Sequence, residues 1–310
     1  MEQTAIYGTG TIGAGLATLL SGNGLPTLVV GRSRQSLDRC RGAVLRNWED
    51  LISNGLAAPA NRDAAMALLR FTADSALLAD RSFVFEAVSE ELSVKRHVYQ
   101  AIEKVVGDDA VIASTTSSVD AELLAELVCR PERLLIAHPF QPAHLLPLVE
   151  VVRHRATARE ITERTCSLLE YMGRQVVRLN RSVPGFLVNR LAQALFRESI
   201  HLIESGVTTA EDIDRAVKYA VGMRYASIGL LEYFDDVGFK LESAIAEQVY
   251  PDLCCAGEIQ RTVELGLETG RTGLTAGQGF YAWQGRDTAD YRRRKQAPFF
   301  HTVAAWHMPG

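Results

Sequence analysis

The sequence predicts an α/β fold in which a doubly wound parallel sheet is followed by an all-helical domain. A short apolar run at Thr4–Tyr7 leads into a glycine-rich turn and a helical pattern, which together indicate a strand–turn–helix unit. Further apolar runs of strand length alternate with helical patterns up to Val177. From Phe186 onward the helical period dominates. The turn Ser182–Gly185 separates the two regions, so we expect a sheet domain at 1–183 and a helical domain at 184–310.

Composition limits the classes of protein to which the chain can belong. A chain of 310 residues that is 47% hydrophobic can bury the cores of two domains. Its net charge of -4 argues against a nucleic-acid partner or an anionic membrane. The five cysteines have neither metal-ligand spacing nor a paired framework, which favours a reducing cytoplasm and no metal. We expect no secretory signal and no membrane span, because no apolar run approaches ~18 residues.

The first turn is typical of a dinucleotide site. Gly8 permits a tight turn, Gly10 leaves room for a pyrophosphate, and Gly13 lets the helix pack closely on the strand. The backbone amides of Thr11 and Ile12, at the start of the helix, would then face the phosphates. Because a second strand follows at 27–30, the pattern predicts a Rossmann-type domain.

The end of that second strand bears on the choice of cofactor. An NAD site usually has an acidic residue here for the ribose 2′-hydroxyl, whereas this chain has Arg32, Ser33 and Arg34. Two guanidinium groups and a hydroxyl suit a 2′-phosphate, so the sequence favours NADP(H). The alternative is that Arg32 only stacks on adenine in an enzyme that uses NAD(H).

The remaining elements of the first domain follow from the same periodicities. Hydroxyl residues follow the strand at 111–113, and of these Ser117 is the candidate ligand group and Ser118 the candidate helix cap. The predicted elements are helices over 36–69, a strand at 83–85, a helix over 90–105, a helix over 120–127, a helix over 162–172 and a strand at 175–177.

A histidine and a glutamate form the candidate catalytic pair. His138 ends the apolar strand Leu134–Ala137, and Glu150 lies inside a second apolar run, Pro147–Val152. A carboxylate in such a run is costly to bury without a partner, and a neighbouring imidazole would provide one. We expect the pair at the carboxyl ends of sheet strands, where open α/β sheets bind ligands. The alternative is a core histidine beside an unrelated glutamate.

The helical domain begins with a helix that is apolar on more than one face. The Asn189–Glu204 segment carries apolar residues around its circumference, which predicts burial in the domain core and in a homodimer interface. Asn189 lies one turn into this helix, near the linker. The glycine-rich segment Thr272–Trp283 is predicted to dock on the helical domain.

Six motifs occur together in an order that resembles the 3-hydroxyacyl-CoA dehydrogenase family. They are the glycine turn, Glu86–Glu90, Thr116–Ser118, His138–Pro142, Val149–Val151 and Pro184–Arg190. The resemblance implies that His138 is the catalytic base, with Glu150 as its partner. It further implies that Ser117 and Asn189 bind the reacting oxygen, that Glu90 and Lys95 contact the cofactor, and that the C-terminal domain forms a homodimer.

Three departures from the family pattern concern the cofactor and the substrate. The acidic residue after the second strand is missing, and Gln141 stands where an asparagine is usual. Family members that act on coenzyme A thioesters tend to carry lysines in the helix after the second strand, but this chain has no lysine between residues 1 and 94. The segment around Arg224 is similar to the lambda-crystallin and L-gulonate 3-dehydrogenase branch, whose members oxidise small free hydroxy acids.

These departures leave the substrate and the role of Arg224 open. Arg224 could bind a free carboxylate, or it could form a structural ion pair with Glu232 or Asp235. We expect a small free 3-hydroxy or 3-keto acid as the substrate. A 3-hydroxyacyl thioester of CoA or a carrier protein is the alternative. A catalytically quiet, crystallin-like binding protein is a further alternative, against which the complete set of site residues argues.

Overall fold

The computed structural model describes residues 2–306, which divide into two compact units. The first unit runs to Leu187 and includes the segment from Arg292 onward, and the second comprises Val188–Tyr291. The predicted boundary, between residues 183 and 184, lies four residues before the observed boundary between Leu187 and Val188. The expectation that the whole of 184–310 belongs to the helical domain was wrong for the last helix. Leu145 of the first unit packs against Phe300 and Val303 of that helix.

The first unit is built on a sheet that, in the described part of the chain, has eight strands in the order β3-β2-β1-β4-β5-β6-β7-β8. All neighbouring strands are parallel except β6 and β7, which pair antiparallel. The strands are Thr4–Tyr7 (β1), Thr27–Val30 (β2), Leu69–Thr72 (β3), Phe83–Glu86 (β4), Val111–Ser114 (β5), Leu134–Pro139 (β6), Leu148–Val152 (β7) and Gln175–Leu179 (β8).

Helices cover both faces of this sheet, because alternate residues of each strand point to opposite sides. Ile6, Val29 and Phe85 belong to one buried cluster, with α1, α2 and α6. Ala5, Val84 and Ile112 belong to the other, with α4 and α5. The helices of this unit are Thr11–Gly22 (α1), Arg34–Ser53 (α2), Pro59–Ala67 (α3), Leu92–Glu103 (α4), Ala121–Ala125 (α5) and Arg159–Tyr171 (α6).

The second unit is helical, as predicted. The segment Thr272–Trp283 docks on it: the Tyr281 hydroxyl donates to Asp214 Oδ2 over 2.7 Å, and the ring of Phe280 contacts that of Phe196. The helices are Val188–Glu204 (α7), Ala210–Ala216 (α8), Gly222–Ile228 (α9), Leu230–Val237 (α10), Phe239–Val249 (α11) and Arg261–Glu268 (α12), with a π-helical turn at Val217–Val221; Thr288–Trp306 (α13) leads back to the first unit.

The fold class is confirmed, with three local corrections. β3 was not predicted, and only its first residue, Leu69, falls within the helical region predicted over 36–69. β6 and β7 pair antiparallel, and β6 extends through His138 to Pro139, which lies opposite Val149, although the strand was predicted as Leu134–Ala137. The cap of α5 is Asp120, whose side chain accepts the Glu122 N–H, and the predicted cap Ser118 does not have this role.

Within residues 2–306, no helix combines the length and the apolar character needed to cross a membrane. The same residues contain no group of three or more His, Cys, Asp or Glu side chains that could hold a metal ion.

Candidate active site

The glycine turn between β1 and α1 has the geometry of a phosphate cradle. Gly8 has a φ of +140°, and a Cβ atom there would lie 2.1 Å from the carbonyl oxygen of Ala87. A Cβ atom on Gly13 would lie 2.4 Å from the carbonyl oxygen of Gly8. Both positions therefore require glycine for the fold itself. Gly10 differs, because a Cβ atom there would meet nothing within 4 Å. The open space above Gly10 is available to a ligand.

The helix that follows presents its amide groups at this turn. Gly10 is the N-cap of α1 and provides no side-chain cap. The N–H groups of Thr11, Ile12 and Gly13 belong to the first turn, where no helix carbonyl can accept them. Such amides, together with the helix dipole, bind phosphate groups. The residues of this turn thus fit the pyrophosphate of a dinucleotide.

The predicted 2′-phosphate residues follow β2, which pairs with β1 so that Val30 lies opposite Tyr7. The side chains of Arg32 and Arg34 are exposed at the end of this strand. Ser33 is the N-cap of α2, and its Oγ accepts the Ser36 N–H over 3.2 Å. The Ser33 hydroxyl can therefore still donate a hydrogen bond to a phosphate.

His138 and Glu150 meet across the antiparallel pair of β6 and β7. The two residues stand directly opposite each other in the register, and His138 Nδ1 lies 2.8 Å from Glu150 Oε2. Glu150 is fully buried, and His138 is buried near the end of its strand. The predicted contact is confirmed, but Glu150 lies in the middle of an antiparallel strand, where we had expected the end of a parallel one.

A backbone amide also holds Glu150. The Leu187 N–H donates to Glu150 Oε1 over 2.9 Å. This amide is brought there by a turn in which Gly185 has a φ of +75° and Phe186 has a φ of +48°. The left-handed conformation is costly for phenylalanine, so the surrounding packing must maintain it. Phe186 is buried, and its ring lies edge-on to the imidazole at a centroid distance of 5.7 Å.

This arrangement favours one tautomer of His138. A buried carboxylate beside Nδ1 accepts a hydrogen bond from the N–H at that position, which leaves Nε2 as the basic nitrogen. The ring of Phe140 lies 4.5 Å from the imidazole by centroids, on the same unit as Phe186. The two aromatic rings limit rotation of the imidazole and lower the local dielectric constant. An imidazole fixed in this way can accept a proton from a substrate hydroxyl.

Ser117 lies at the same edge of the sheet as His138. β5 and β6 are parallel neighbours, with Ser114 opposite Ile136. Ser117 follows the carboxyl end of β5, and His138 is the last but one residue of β6. The Ser117 N–H donates to Glu90 Oε1 over 3.0 Å, and its hydroxyl lies 3.4 Å from the same atom. Burial alone would raise the pKa of Glu90. Hydrogen bonds from Thr116 and the Ser117 amide, with the charge of Lys95, bring that pKa below its ordinary value.

Lys95 is enclosed between two carboxylates. Its side chain is only 1% exposed, and its Nζ lies 3.0 Å from Glu86 Oε1 and 3.2 Å from Glu90 Oε2. Glu90 is partly exposed and faces Ser117. The structure thus supports an orienting contact for Glu90 and assigns Lys95 to the interior.

The other predicted substrate residues lie apart in the chain. Gln141 is exposed in the loop between β6 and β7. Asn189 lies in α7 and Arg224 in α9, both in the second unit. Within the described residues Arg224 makes no ion pair with Glu232 or Asp235; its guanidinium instead stacks on Tyr233 at 4.4 Å from the ring centroid.

Sequence reasoning missed four contributors to the site. The contribution of Leu187 is a backbone amide, which no side-chain pattern in the sequence reveals. Pro184 and Gly185 do mark the turn that positions it. Phe140 and Phe186 stood within recognised motifs, but nothing in their spacing indicated contact with His138. Glu86 also stood in a motif, and its burial at the end of β4 is visible only in the sheet.

The comparisons with known proteins agree with this geometry. The family model of the 3-hydroxyacyl-CoA dehydrogenase NAD binding domain matches residues 3–182, and that of the C-terminal domain matches residues 185–283. The chain belongs to the 3-hydroxyacyl-CoA dehydrogenase family. It is therefore a dehydrogenase that acts on a hydroxyl group with a nicotinamide cofactor.

Within this family the chain is similar to proteins that act on different substrates. It is 33% identical to the L-carnitine dehydrogenase of Oceanobacillus iheyensis over 229 residues, 74% of each chain. It is also 33% identical to a 3-hydroxybutyryl-CoA dehydrogenase of Mycobacterium tuberculosis over 91% of this chain and 99% of that protein. The crystal structure of 5-formyl-3-hydroxy-2-methylpyridine 4-carboxylic acid 5-dehydrogenase, described as an NAD+ dependent dismutase, superposes with a TM-score of 0.89 at 28% identity and 97% coverage of both chains.

Proposed function

We propose that this dehydrogenase interconverts a small free 3-hydroxy acid and its 3-keto acid, with His138 as the general base. The observation that carries the proposal is the buried His138–Glu150 contact of 2.8 Å, in the same sheet as the dinucleotide turn. In the oxidative direction Nε2 of His138 accepts the proton of the substrate hydroxyl. Glu150 then stabilises the imidazolium that forms. The bound nicotinamide supplies the hydride chemistry of the reaction.

The developing carbonyl oxygen also needs donors. Ser117 follows the strand next to that of His138, and its hydroxyl is only weakly held by Glu90 at 3.4 Å. It can therefore rotate to donate to a substrate oxygen. The amide of Asn189, two residues beyond Leu187 in the chain, is the second proposed donor, and Gln141 is proposed to contact the substrate.

The exposure and stacking of Arg224 support a substrate that carries a free carboxylate. Its guanidinium stacks on Tyr233 and is exposed, so its N–H groups remain available for a bidentate contact with a carboxylate. The α2 helix carries no lysine that could meet the phosphates of coenzyme A. Among the relatives, one is named for L-carnitine and another for 3-hydroxybutyryl-CoA. An acyl thioester of CoA or a carrier protein is therefore the competing substrate.

Substitution of Arg224 by methionine separates these substrates. We expect Arg224→Met to raise KM for free 3-keto acids by ~10-fold to 100-fold, since a hydrogen-bonded charge contributes about 1.5–3 kcal/mol. Its KM for acetoacetyl-CoA should stay within about threefold, because a thioester has no carboxylate there. The measurement is nicotinamide absorbance during titration of each substrate, with the exposed Arg215→Met as control. Efficient turnover of the thioester alone would contradict the free-acid proposal.

The proposal includes a preference for NADP(H), with NAD(H) as a second cofactor. Arg32 and Arg34 are exposed at the end of β2, beside the Ser33 hydroxyl, and no carboxylate stands among these three residues to repel a 2′-phosphate. The pyridine carboxylate dehydrogenase is described as NAD+ dependent, but that description concerns the other protein and not this chain. In this chain the three residues favour the phosphorylated cofactor.

Removal of the Arg32 side chain tests this preference. We expect Arg32→Ala to raise the Kd of NADPH by ~10-fold to 100-fold through loss of a charge-assisted contact, and that of NADH by less than about threefold. Quenching of protein fluorescence by each cofactor measures both constants. The exposed Arg96→Ala on α4 is the matched control. Equal weakening of the two cofactors would mean that Arg32 only packs on the adenine.

A homodimer through the helical unit and a reducing cytoplasmic location complete the proposal. The α7 helix was predicted to be buried on several sides, but in the single chain Leu191 is 53% exposed and Leu195 is 44% exposed. Exposed apolar side chains along one helix favour a protein partner, and a second copy of the chain would cover them. The five cysteines are free thiols, which suits a reducing compartment.

A further inference from the structure

A buried carboxylate lies at the end of β4, behind the loop that carries Ser117. Glu86 is fully buried and is held by four donors. Burial, reinforced by the charge of Glu86, raises the pKa of Tyr99 well above its ordinary range, so the phenol acts as a donor. The donors are the Val88 N–H at 2.9 Å, the Lys95 ammonium at 3.0 and 3.1 Å, the Tyr99 hydroxyl at 2.7 Å and the Ser114 hydroxyl at 2.7 Å.

Lys95 connects this carboxylate to a second one. It lies in the first turn of α4, its side chain is 1% exposed, and its ammonium contacts both Glu86 and Glu90. A buried ammonium is costly unless it is paired, and two carboxylates provide the pairing. Because Glu86 is fixed by its other donors, the position of the ammonium is fixed as well.

Glu90 connects Lys95 to the loop after β5. Its Oε2 accepts the Thr116 hydroxyl over 2.7 Å, and its Oε1 accepts the Ser117 N–H over 3.0 Å. Glu90 itself lies in the loop before α4 and is partly exposed, so without Lys95 its carboxylate would be free to turn toward solvent. The backbone of Ser117 would then lose its fixed acceptor.

We propose that Lys95 is a positioning residue that acts through Glu90 to hold Ser117 at the place where it binds the reacting oxygen. The inference rests on the proposed function of Ser117. The family resemblance implies a direct cofactor contact for Lys95, and the KM of the cofactor distinguishes that contact from the positioning role. A change in the placement of one reacting or binding group by about 1 Å can cost ~100-fold in rate.

The experiment is a double-mutant cycle between Lys95→Met and Ser117→Ala, with kcat and the KM of the nicotinamide cofactor measured for each variant. Lys104→Met replaces an exposed lysine at the end of the same helix and serves as control. Lys95→Met leaves Glu86 without its cation and can fail to fold, which thermal melting would reveal. In that case Glu86→Gln combined with Lys95→Met, which removes both buried charges, takes its place in the cycle.

We expect Lys95→Met to lower kcat by ~10-fold to 100-fold with less than about a threefold change in the KM of the cofactor. In the Ser117→Ala background the same substitution should change kcat by less than about threefold, because the two residues act as one unit. Independent losses that multiply would overturn the positioning role and leave the role of Ser117 intact. A raised cofactor KM at unchanged kcat would restore the direct cofactor contact. Full activity of Ser117→Ala would overturn both roles.

Discussion

Replacement of His138 by glutamine is expected to lower kcat by ~100-fold to 10,000-fold, the range that a general base contributes. Glutamine can still donate to Glu150 from its amide and has nearly the same reach as histidine. It cannot accept a proton at neutral pH, so the proton of the substrate hydroxyl has no base within the site.

The matched control for this prediction is His97→Gln, which changes an exposed histidine of α4. Initial rates of nicotinamide reduction with a 3-hydroxy acid measure the effect, and thermal melting checks that both variants are folded. Unchanged turnover in His138→Gln would show that the pair of His138 and Glu150 is structural. A catalytically quiet binding protein that keeps the family fold would then be the better explanation.

The sequence was sufficient to predict the contact between His138 and Glu150 but not the strand direction that produces it. An apolar run of five or six residues has the same appearance in a parallel and an antiparallel strand. The loop between β6 and β7 is too short for a crossover helix, so β7 returns antiparallel and brings Glu150 opposite His138. The prediction depended on the energetic cost of an unpaired carboxylate, which holds in either geometry.

The missed strand β3 has a similar cause. Leu69–Thr72 contains the exposed Arg70 and lies at the edge of the sheet, where one side of the strand has no partner strand. An edge strand is less apolar than a central one, so its residues resemble the end of the preceding helix. Pairing with β2 determines its structure, and a sequence window of this length does not contain that information.

The position of Lys95 could not be predicted from its motif. In the sequence it stands four residues after Glu91, a spacing that is typical of exposed ion pairs on a helix. Only the sheet brings Glu86, at the end of β4, beneath the first turn of α4 and encloses the ammonium between two carboxylates. The motif alone therefore gave no indication that this lysine is buried.

Glu150 offers the sharpest test of the site, because its two oxygens have different partners. Oε2 faces His138 Nδ1 at 2.8 Å, and Oε1 accepts the Leu187 N–H at 2.9 Å. In Glu150→Gln the Leu187 N–H requires the amide oxygen, so the NH2 group must face the imidazole. An NH2 group cannot accept the Nδ1 proton, and the imidazole must then carry its proton on Nε2.

We therefore expect Glu150→Gln to lower kcat by ~1,000-fold to 10,000-fold, as the wrong tautomer does in a comparable triad. We expect this large loss although glutamine has almost the same shape as glutamate. The measurement is kcat together with the ¹⁵N chemical shifts of His138, which distinguish the two neutral tautomers. The exposed Glu163→Gln on α6 is the control. A variant that keeps Nδ1 protonated and retains most of the activity would show that Glu150 only fills the core.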